Sequence, residues 1–182
     1  MSKAIGMAEF ITVSEGIAAA DRMVKTAKVD IIEAQTVCPG KYIVIISGEL
    51  SAVNASLEAV KTFHSGKLID SFVLGNPHES IFPAIYSTVQ IKEVGALGVI
   101  ETFSVASAIV AADVAAKTAF VELVELRLAR GMCGKSYLLL TGSVAAVTAA
   151  IERATAEATD RGMLLDNTVI PNPDKKIWDT IL

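Results

Sequence analysis

The residues of this chain best suited to metal chemistry are its two cysteines, and each lies in a short segment that contains glycine. Cys38 lies in TVCPGKY, Thr36 to Tyr42, and Cys133 lies in MCGKSY, Met132 to Tyr137. A structural zinc ion or an iron–sulfur cluster needs about four ligands, which one thiolate does not supply. A single cysteine is more often an inert, small apolar side chain. Cys38 is therefore either a bystander or a ligand whose companion ligands come from other chains.

The other reactive side chains do not form a catalytic set. His64 and His78 stand apart, with no neighbouring ligands at metal-binding spacing. The two glycine segments lack the spacing of a phosphate-binding P-loop and lead into predicted strands rather than helices. The sequence contains no pattern that places a nucleophile beside a base. We therefore expect that the protein is not an enzyme.

Composition predicts a folded protein with more apolar residues than its own core needs. Hydrophobic residues make up 52% of the 182 residues, only 5% are aromatic, and the mean hydropathy is +0.52. This content is enough for a sizeable core, and the excess over that core predicts contacts between subunits. No apolar run reaches the roughly 18 residues of a membrane span. The first ten residues contain no signal-peptide pattern, so we expect neither a membrane partner nor secretion.

Charge and cysteine content exclude two further classes of protein. The net charge is −4, the pI is about 5.2, and the 16 basic residues are dispersed. The chain has no basic stripe interleaved with aromatic residues, so we expect no nucleic-acid partner. Two cysteines without a secretion signal indicate a reducing cytoplasm and no disulfide framework.

The strongest signal in the sequence is an internal duplication. Asp21 aligns with Asp113, Gly40 with Gly134, and the separation grows by a few residues along the chain because of short loop insertions. The matching segments are AIGMAE and ALGVIE, AADRMVKTAKV and AADVAAKTAFV, GKYIVIISGELSAV and GKSYLLLTGSVAAV, and GKLIDSFVLGNPHESIFPAI and GMLLDNTVIPNPDKKIWDTI. The repeat is about 90 residues long. We predict two domains, 1–90 and 91–182, joined by a short linker around Thr88 to Gly95.

Each repeat has the same predicted order of elements, β-α-β-β-α-β-α, which is an α+β fold of ferredoxin-like character. Ser14 and Ser51 are the expected N-caps of the two longer helices, and Gly66 is the expected stop of the second. The first helix is expected to bury its apolar positions Ile17, Ala20, Met23, Val24 and Ala27. In the first repeat the predicted elements are strand Ala4–Phe10, helix Ser14–Ala27, strand Val29–Val37, strand Tyr42–Ser47, helix Ser51–Ser65, strand Leu68–Leu74 and helix Pro77–Tyr86.

The predicted helices are unusually rich in small residues, as in SAIVAADVAAK and VAAVTAAIERATAEA. Alanine has the highest helix propensity, which is one sufficient explanation. Small side chains also allow a helix to approach a neighbouring subunit closely, which is the other. The sequence leaves both explanations open.

The repeated pattern AIGMAEF, GIAAADRMVKTAKVDI and GKYIVIISGELSAVNASLEA resembles the bacterial microcompartment shell domain. The resemblance covers Ala4 to Leu182 twice over, as in the tandem-domain shell proteins. Within this group, TVCPGKY is similar to the iron–sulfur-carrying shell proteins of propanediol utilisation. The resemblance implies a location in the shell of a bacterial microcompartment in the cytoplasm.

The resemblance also implies an assembly. The chain is expected to form a homotrimer that mimics a hexamer, with two loops of each chain at the central axis, and to tile with other hexameric and trimeric shell proteins. Lys25 and Lys117 match the family's lysine at the tiling edge, whereas Asn76 and Asn172 stand where the family often has arginine, so the planar donors of arginine are missing there. The residues expected in the axial loops are Val37, Cys38, Pro39, Gly40 and Lys41 in the first repeat, and Met132, Cys133, Gly134 and Lys135 in the second.

Threefold symmetry changes the ligand count for Cys38. Three copies bring three thiolates to one axis, which suffices for one [4Fe–4S] cluster per trimer with one iron left for another ligand. Pro39 stiffens the loop, Gly40 permits close approach of the backbone, and Lys41 adds positive charge that offsets the charge of the cluster. Cys133 aligns one position past Cys38 and is expected to be a loop thiol rather than a ligand.

These observations favour a shell protein that transfers electrons across the shell, with an enclosed redox enzyme or a flavodoxin- or ferredoxin-type donor as partner. Three alternatives remain open at this point. One is a mononuclear metal held by three Cys38 thiolates, and another is a shell tile whose metal-free pore passes metabolites. The last is a ligand-sensing protein built from ferredoxin-like units.

Overall fold

The computed structural model describes residues 4–91 and 93–182. The chain divides into two compact units. Unit 1 consists of the described part of Met1–Pro77, to which two short segments of the second repeat, Ser104–Ala106 and Ala129–Gly134, are added. Unit 2 consists of His78–Phe103, Ser107–Leu128 and Lys135–Leu182. The domain boundaries 1–90 and 91–182 remain a prediction about the sequence repeats.

Unit 1 is a four-stranded antiparallel sheet that packs against two helices. The sheet has the order β2-β3-β1-β4, so β1, with neighbours on both sides, lies inside it. Its buried apolar cluster includes Phe10, Met23 and Leu57. The elements are β1 Ala4–Phe10, α1 Val13–Thr26, β2 Val29–Val37, β3 Lys41–Gly48, α2 Leu50–Phe63, a 3₁₀ turn Ser65–Lys67, and β4 Leu68–Leu74.

Unit 2 repeats this architecture. Its sheet has the order β6-β7-β5-β8, in which each strand has the place of its equivalent in unit 1. A buried apolar cluster includes Leu97, Val124 and Trp178. The elements that follow β4 along the chain are α3 Ile81–Ile85, β5 Ala96–Thr102, α4 Val105–Thr118, β6 Val121–Arg127, β7 Ser136–Gly142, α5 Val144–Asp160, β8 Leu164–Ile170, and α6 Lys175–Ile181. The predicted α+β class and the duplication are both confirmed.

Both predicted N-caps are wrong. Helix α1 begins at Val13 with Thr12 as its N-cap, and α2 begins at Leu50 with Glu49 as its N-cap. Neither cap residue makes a side-chain capping bond, and the serine two residues later in each helix was a misleading signal. The helix predicted over Pro77–Tyr86 is confined to Ile81–Ile85.

The burial of α1 also differs from the prediction. Met23 and Ala20 are buried as expected, but Ile17 is 54% exposed and Val24 is 41% exposed. Helix α1 therefore buries a narrow stripe that includes Gly16 and leaves apolar side chains on its outer side. Within the described residues, no helix is long and apolar enough to cross a membrane.

Candidate functional site

Cys38 lies in the tight loop between β2 and β3 and is partly buried. The loop is closed by the amide of Gly40, which donates to the carbonyl oxygen of Val37 at 3.0 Å. Gly40 has a φ of +101°, a conformation that glycine adopts without strain. The amide of Cys38 donates to the carbonyl oxygen of Ala129 at 3.3 Å, so the backbone of the cysteine is held on both sides of the turn.

The segment that supplies Ala129 is the loop equivalent to the Cys38 loop in the second repeat, and it packs directly against it within unit 1. Gly134 has a φ of +90°, and a Cβ added there would lie 3.2 Å from Pro39 Cδ and 3.3 Å from the carbonyl oxygen of Cys38. A larger residue at Gly134 would be strained by this φ and would crowd Pro39 and Cys38. The two loops that were predicted to lie at one axis are therefore neighbours in unit 1.

The side chains of the second loop are arranged differently from Cys38. Cys133 has a φ of +50° and is exposed, whereas Met132, which aligns with Cys38, is half-buried. Lys135, the equivalent of Lys41, is exposed. The two thiols thus occupy non-equivalent positions in their loops, which fits the expectation that they have different roles.

Lys41 does not supply a free positive charge to the Cys38 loop. Its Nζ donates to Oε1 of Glu9 at 2.8 Å, and the Glu9 side chain is fully buried. Burial raises the pKa of Glu9, while the bond and charge of Lys41 and the amide of Val105 act in the opposite direction. The positive charge of Lys41, which was predicted to offset the charge of a cluster, is thus paired with the carboxylate of Glu9.

The donor set of one chain does not fit a metal cluster. In residues 4–91 and 93–182, no three His, Cys, Asp or Glu side chains lie together as a potential metal site. His64 contacts Glu15 and Arg22, through Nδ1 at 2.8 Å and Nε2 at 3.2 Å, and so it belongs to a surface polar group rather than to the cysteine loop. One thiolate from Cys38 is the only contribution that a single chain makes in this loop, and a cluster requires further copies.

The residues predicted for the tiling edge lie on helix ends and turns. Lys25 and Lys117 are each in the last turn of their helix, and each contacts an aspartate four residues earlier at 2.6 Å. Asn76 follows β4, and Asn172 follows β8, and both are exposed. Their role at an edge remains a prediction.

A feature that sequence reasoning missed is a pair of carboxylates that holds the start of α4. Oε2 of Glu9 accepts the amide of Val105 at 2.9 Å, and Oδ2 of Asp70 accepts the hydroxyl of Ser104 at 2.7 Å. Glu9 and Asp70 are direct cross-strand partners on β1 and β4. The sequence showed that Glu9 recurs as Glu101, but it could not show that Glu9 binds the amide of Val105, because the two residues are far apart along the chain.

The chain matches the family model described as the BMC domain twice, over residues 4–77 and 96–173. It is 37% identical to the bacterial microcompartment shell protein PduT of Citrobacter freundii, over 98% of this chain and 97% of that protein. Over 85 residues, 44% of this chain, it is 32% identical to the carboxysome shell protein CcmK1 of Synechocystis sp., of which 77% is covered.

A solved structure gives the same result. The crystal structure of a microcompartments protein from Desulfitobacterium hafniense DCB is 46% identical, with a TM-score of 0.86 over 98% of this chain and 99% of that one. The duplication, the two sheets of matching order and these similarities agree. The chain belongs to the BMC-domain family of bacterial microcompartment shell proteins, with two such domains in tandem.

Proposed function

We propose that this shell protein forms a homotrimer in which the Cys38 thiolates of three chains converge on the central axis and hold one [4Fe–4S] cluster. The homotrimer offers six BMC domains around one axis and so takes the place of a hexamer among the other hexameric and trimeric shell proteins. The cluster serves electron transfer across the shell. An enclosed redox enzyme, or a flavodoxin- or ferredoxin-type donor, is the partner of this step.

The observation that carries the proposal is the position of Cys38. The residue is partly exposed in a short turn, and hydrogen bonds fix its backbone to Ala129 and close the turn at Gly40. A ligand on a loop of this kind loses little conformational entropy when it binds, because the loop is already ordered. Cys133, at a different position and with a different backbone conformation, is not part of the proposed ligand set.

The donor chemistry also fits the proposed group once symmetry is applied. Cysteine thiolates are the usual ligands of iron–sulfur clusters, and three of them leave one iron for water or an outside donor. When bound, such a cluster supplies a one-electron carrier. The residues of this chain position the thiols, and the loop Ala129–Gly134 packs against Pro39 and the backbone of Cys38.

The test compares anaerobically purified wild-type protein with Cys38→Ser and Cys133→Ser. We expect the wild type to show the broad visible absorption of thiolate-bound iron and a reduced-state EPR signal, with iron and sulfide equivalent to about one cluster per trimer. Cys38→Ser is expected to lose both signals and to remain trimeric. Cys133→Ser, the matched control from the other loop, is expected to keep them.

Two results would contradict the proposal in different ways. A colourless, iron-free trimer that resists reconstitution would leave a shell tile with a central metabolite pore lined by the Cys38 thiol. Iron that is bound equally well by Cys38→Ser would mean that the ligands lie elsewhere in the chain.

A further inference from the structure

The start of α4 is held by two carboxylates that come from the other repeat of the sequence. Glu9 accepts the amide of Val105, and Asp70 accepts the hydroxyl of Ser104, all within unit 1. These bonds satisfy a free amide at the N-terminus of the helix and place negative charge at the positive end of its dipole.

The start of α1 is the equivalent place in the first repeat, and it lacks these partners. Thr12 aligns with Ser104, and Val13 aligns with Val105. Thr12 is the N-cap of α1, but its side chain makes no capping bond, and Glu15 is the only acidic residue in the first turn. Within the described residues, the start of α1 therefore has a hydroxyl and an amide at the equivalent positions but lacks the carboxylates that hold the start of α4.

The matching carboxylates exist in unit 2. Glu101 aligns with Glu9, Asp166 aligns with Asp70, and the two are cross-strand partners on β5 and β8 just as Glu9 and Asp70 are on β1 and β4. Asp166 is exposed, and the bond it is seen to accept comes from the amide of Asn167, next to it in the chain. Among residues 4–91 and 93–182, nothing is seen to donate a hydrogen bond to the carboxylate of Glu101.

We propose that Glu101 and Asp166 of one chain bind the start of α1 of a second copy. Glu101 accepts the amide of Val13, and Asp166 accepts the hydroxyl of Thr12, so that the bonds seen once inside the chain are repeated between chains. This inference rests on the proposed homotrimer and assigns the contacts that hold it together. The partner is a second copy because this chain carries both halves of the pair, the carboxylates in the second repeat and the helix start without a side-chain capping bond in the first.

Two other features of the first repeat point to the same missing neighbour. Gly134 is packed tightly against Pro39 and the carbonyl of Cys38, whereas nothing lies within 4 Å of a Cβ built on its equivalent, Gly40. Ile17 is 54% exposed, whereas its equivalent, Ile109, is fully buried. The first repeat thus exposes a loop glycine and an apolar side chain whose counterparts in the second repeat are covered.

The test measures trimer dissociation by sedimentation equilibrium and native mass spectrometry. Glu101→Gln and Asp166→Asn keep the shape of the side chains and remove their charge. We expect each to raise the dissociation constant per interface by roughly tenfold or more, because bonds to a charged acceptor are about twice as strong as neutral ones. Glu152→Gln and Asp160→Asn, exposed carboxylates on α5, are the matched controls and are expected to leave dissociation unchanged.

A double-mutant cycle identifies the partner atoms. Thr12→Ala removes the proposed donor, so Thr12→Ala combined with Asp166→Asn should weaken the trimer little more than Asp166→Asn alone. Hydrogen exchange gives a second readout that does not depend on any variant. The amide of Val13 should be protected in the wild-type trimer and should exchange rapidly when the protein is diluted to monomer.

The outcomes separate this inference from the homotrimer itself. The assigned contacts are overturned, and the trimer is not, if wild type, Glu101→Gln and Asp166→Asn have the same dissociation constant. Additive effects in the double-mutant cycle and rapid exchange of the Val13 amide in the trimer would agree with that result. A wild type that is monomeric at all concentrations overturns both. Weaker association of Glu101→Gln and Asp166→Asn, together with a non-additive cycle between Thr12→Ala and Asp166→Asn, supports the contacts whether or not the trimer contains iron.

Discussion

Helices α1 and α4 have closely similar sequences and occupy very different surroundings. Ile109 on α4 is fully buried, whereas Ile17, the equivalent residue on α1, is 54% exposed. The side chain of Asp113 is 5% exposed, and that of its equivalent, Asp21, is 58% exposed, although both contact a lysine one turn later. Because the motif is the same, the difference comes from what covers each helix and not from the helix itself.

The two repeats also differ in how the first helix meets the sheet. In the first repeat a glycine, Gly16, faces Tyr42 of β3. In the second repeat the equivalent residues are Ala108 and Ser136, so the helix residue is larger and the strand residue is smaller than in the first. The second pair has a smaller total volume than the first, so the two repeats fill this position with different side chains.

The largest expected effect tests the contrast between the two isoleucines. Ile109→Ala removes a fully buried side chain and should lower the free energy of unfolding by about 2–5 kcal/mol. Ile17→Ala should change it by no more than about 0.5 kcal/mol in the dissociated chain. Urea unfolding, at protein concentrations below the dissociation constant of the proposed trimer, measures both free energies.

Association of the proposed trimer gives a second measure of the same comparison. Ile17→Ala is expected to weaken it, because the side chain is an exposed apolar group on the face that a second copy is proposed to cover. Equal losses of stability in the two dissociated variants would mean that the two helix faces are covered alike, contrary to the structure.

The next effect tests the exchange of side-chain size between the repeats. A Cβ added to Gly16 would lie 2.6 Å from Tyr42 Cγ and closer still to Tyr42 Cβ, and atoms so near the backbone have little room to move. Gly16→Ala should therefore cost about 1–3 kcal/mol through overpacking, in spite of the higher helix propensity of alanine. Thermal and urea unfolding of this variant beside Ala108→Gly gives the comparison.

Whether Gly16→Ala destabilises or stabilises the protein decides whether overpacking or helix propensity is the larger effect at this site. Ala108→Gly is expected to cost about 1 kcal/mol from helix propensity, since it creates no clash. Gly16→Ala combined with Tyr42→Ser reproduces the pair found in the second repeat and should cost less than the sum of the single changes. If Gly16→Ala stabilised the protein instead, propensity would outweigh packing at this site.

The strands could be predicted from the sequence because their signal is local. The observed β1, β2 and β4 have the predicted bounds, since each is a short apolar or alternating run between turn residues, and the second repeat supplied an independent copy of the pattern. Helix starts were harder. The capping signals at Ser14 and Ser51 were false, because the actual N-caps, Thr12 and Glu49, make no side-chain bond that their sequence could announce.

The candidate site could be predicted only in part, because its contacts join distant residues. The turn around Cys38 follows from the residues Pro39 and Gly40. The bond from Cys38 to Ala129, and the pairing of Lys41 with Glu9, depend on how segments far apart in sequence pack together. Helical periodicity likewise indicated an apolar face on α1, but it does not say whether that face is covered by the same chain.

The smallest effect, and the one most specific to the difference between the repeats, is the pH dependence that Glu9 confers. Burial raises the pKa of this carboxyl above its usual value of 4.5, so the folded chain retains the proton to a higher pH than the unfolded chain does. The contribution of Glu9 to the free energy of unfolding is therefore fully present below pH 4.5. It decreases as the pH rises through 4.5 toward the folded-state pKa, and then becomes constant.

The measurement is the difference in unfolding free energy between wild type and Glu9→Gln, followed from pH 4 to pH 7 in the dissociated chain. We expect the wild type to lose stability relative to Glu9→Gln as the pH rises, because glutamine has no proton to release. Glu101→Gln is the matched control. Glu101 has the equivalent place in the second sheet and, among the described residues, accepts no bond from a lysine or a helix amide. If the difference between wild type and Glu101→Gln, a variant that keeps Glu9, fell equally as the pH rises, burial of Glu9 beside Lys41 and Val105 would not be the cause. A fall confined to the comparison of wild type with Glu9→Gln would tie it to the carboxylate that holds α4.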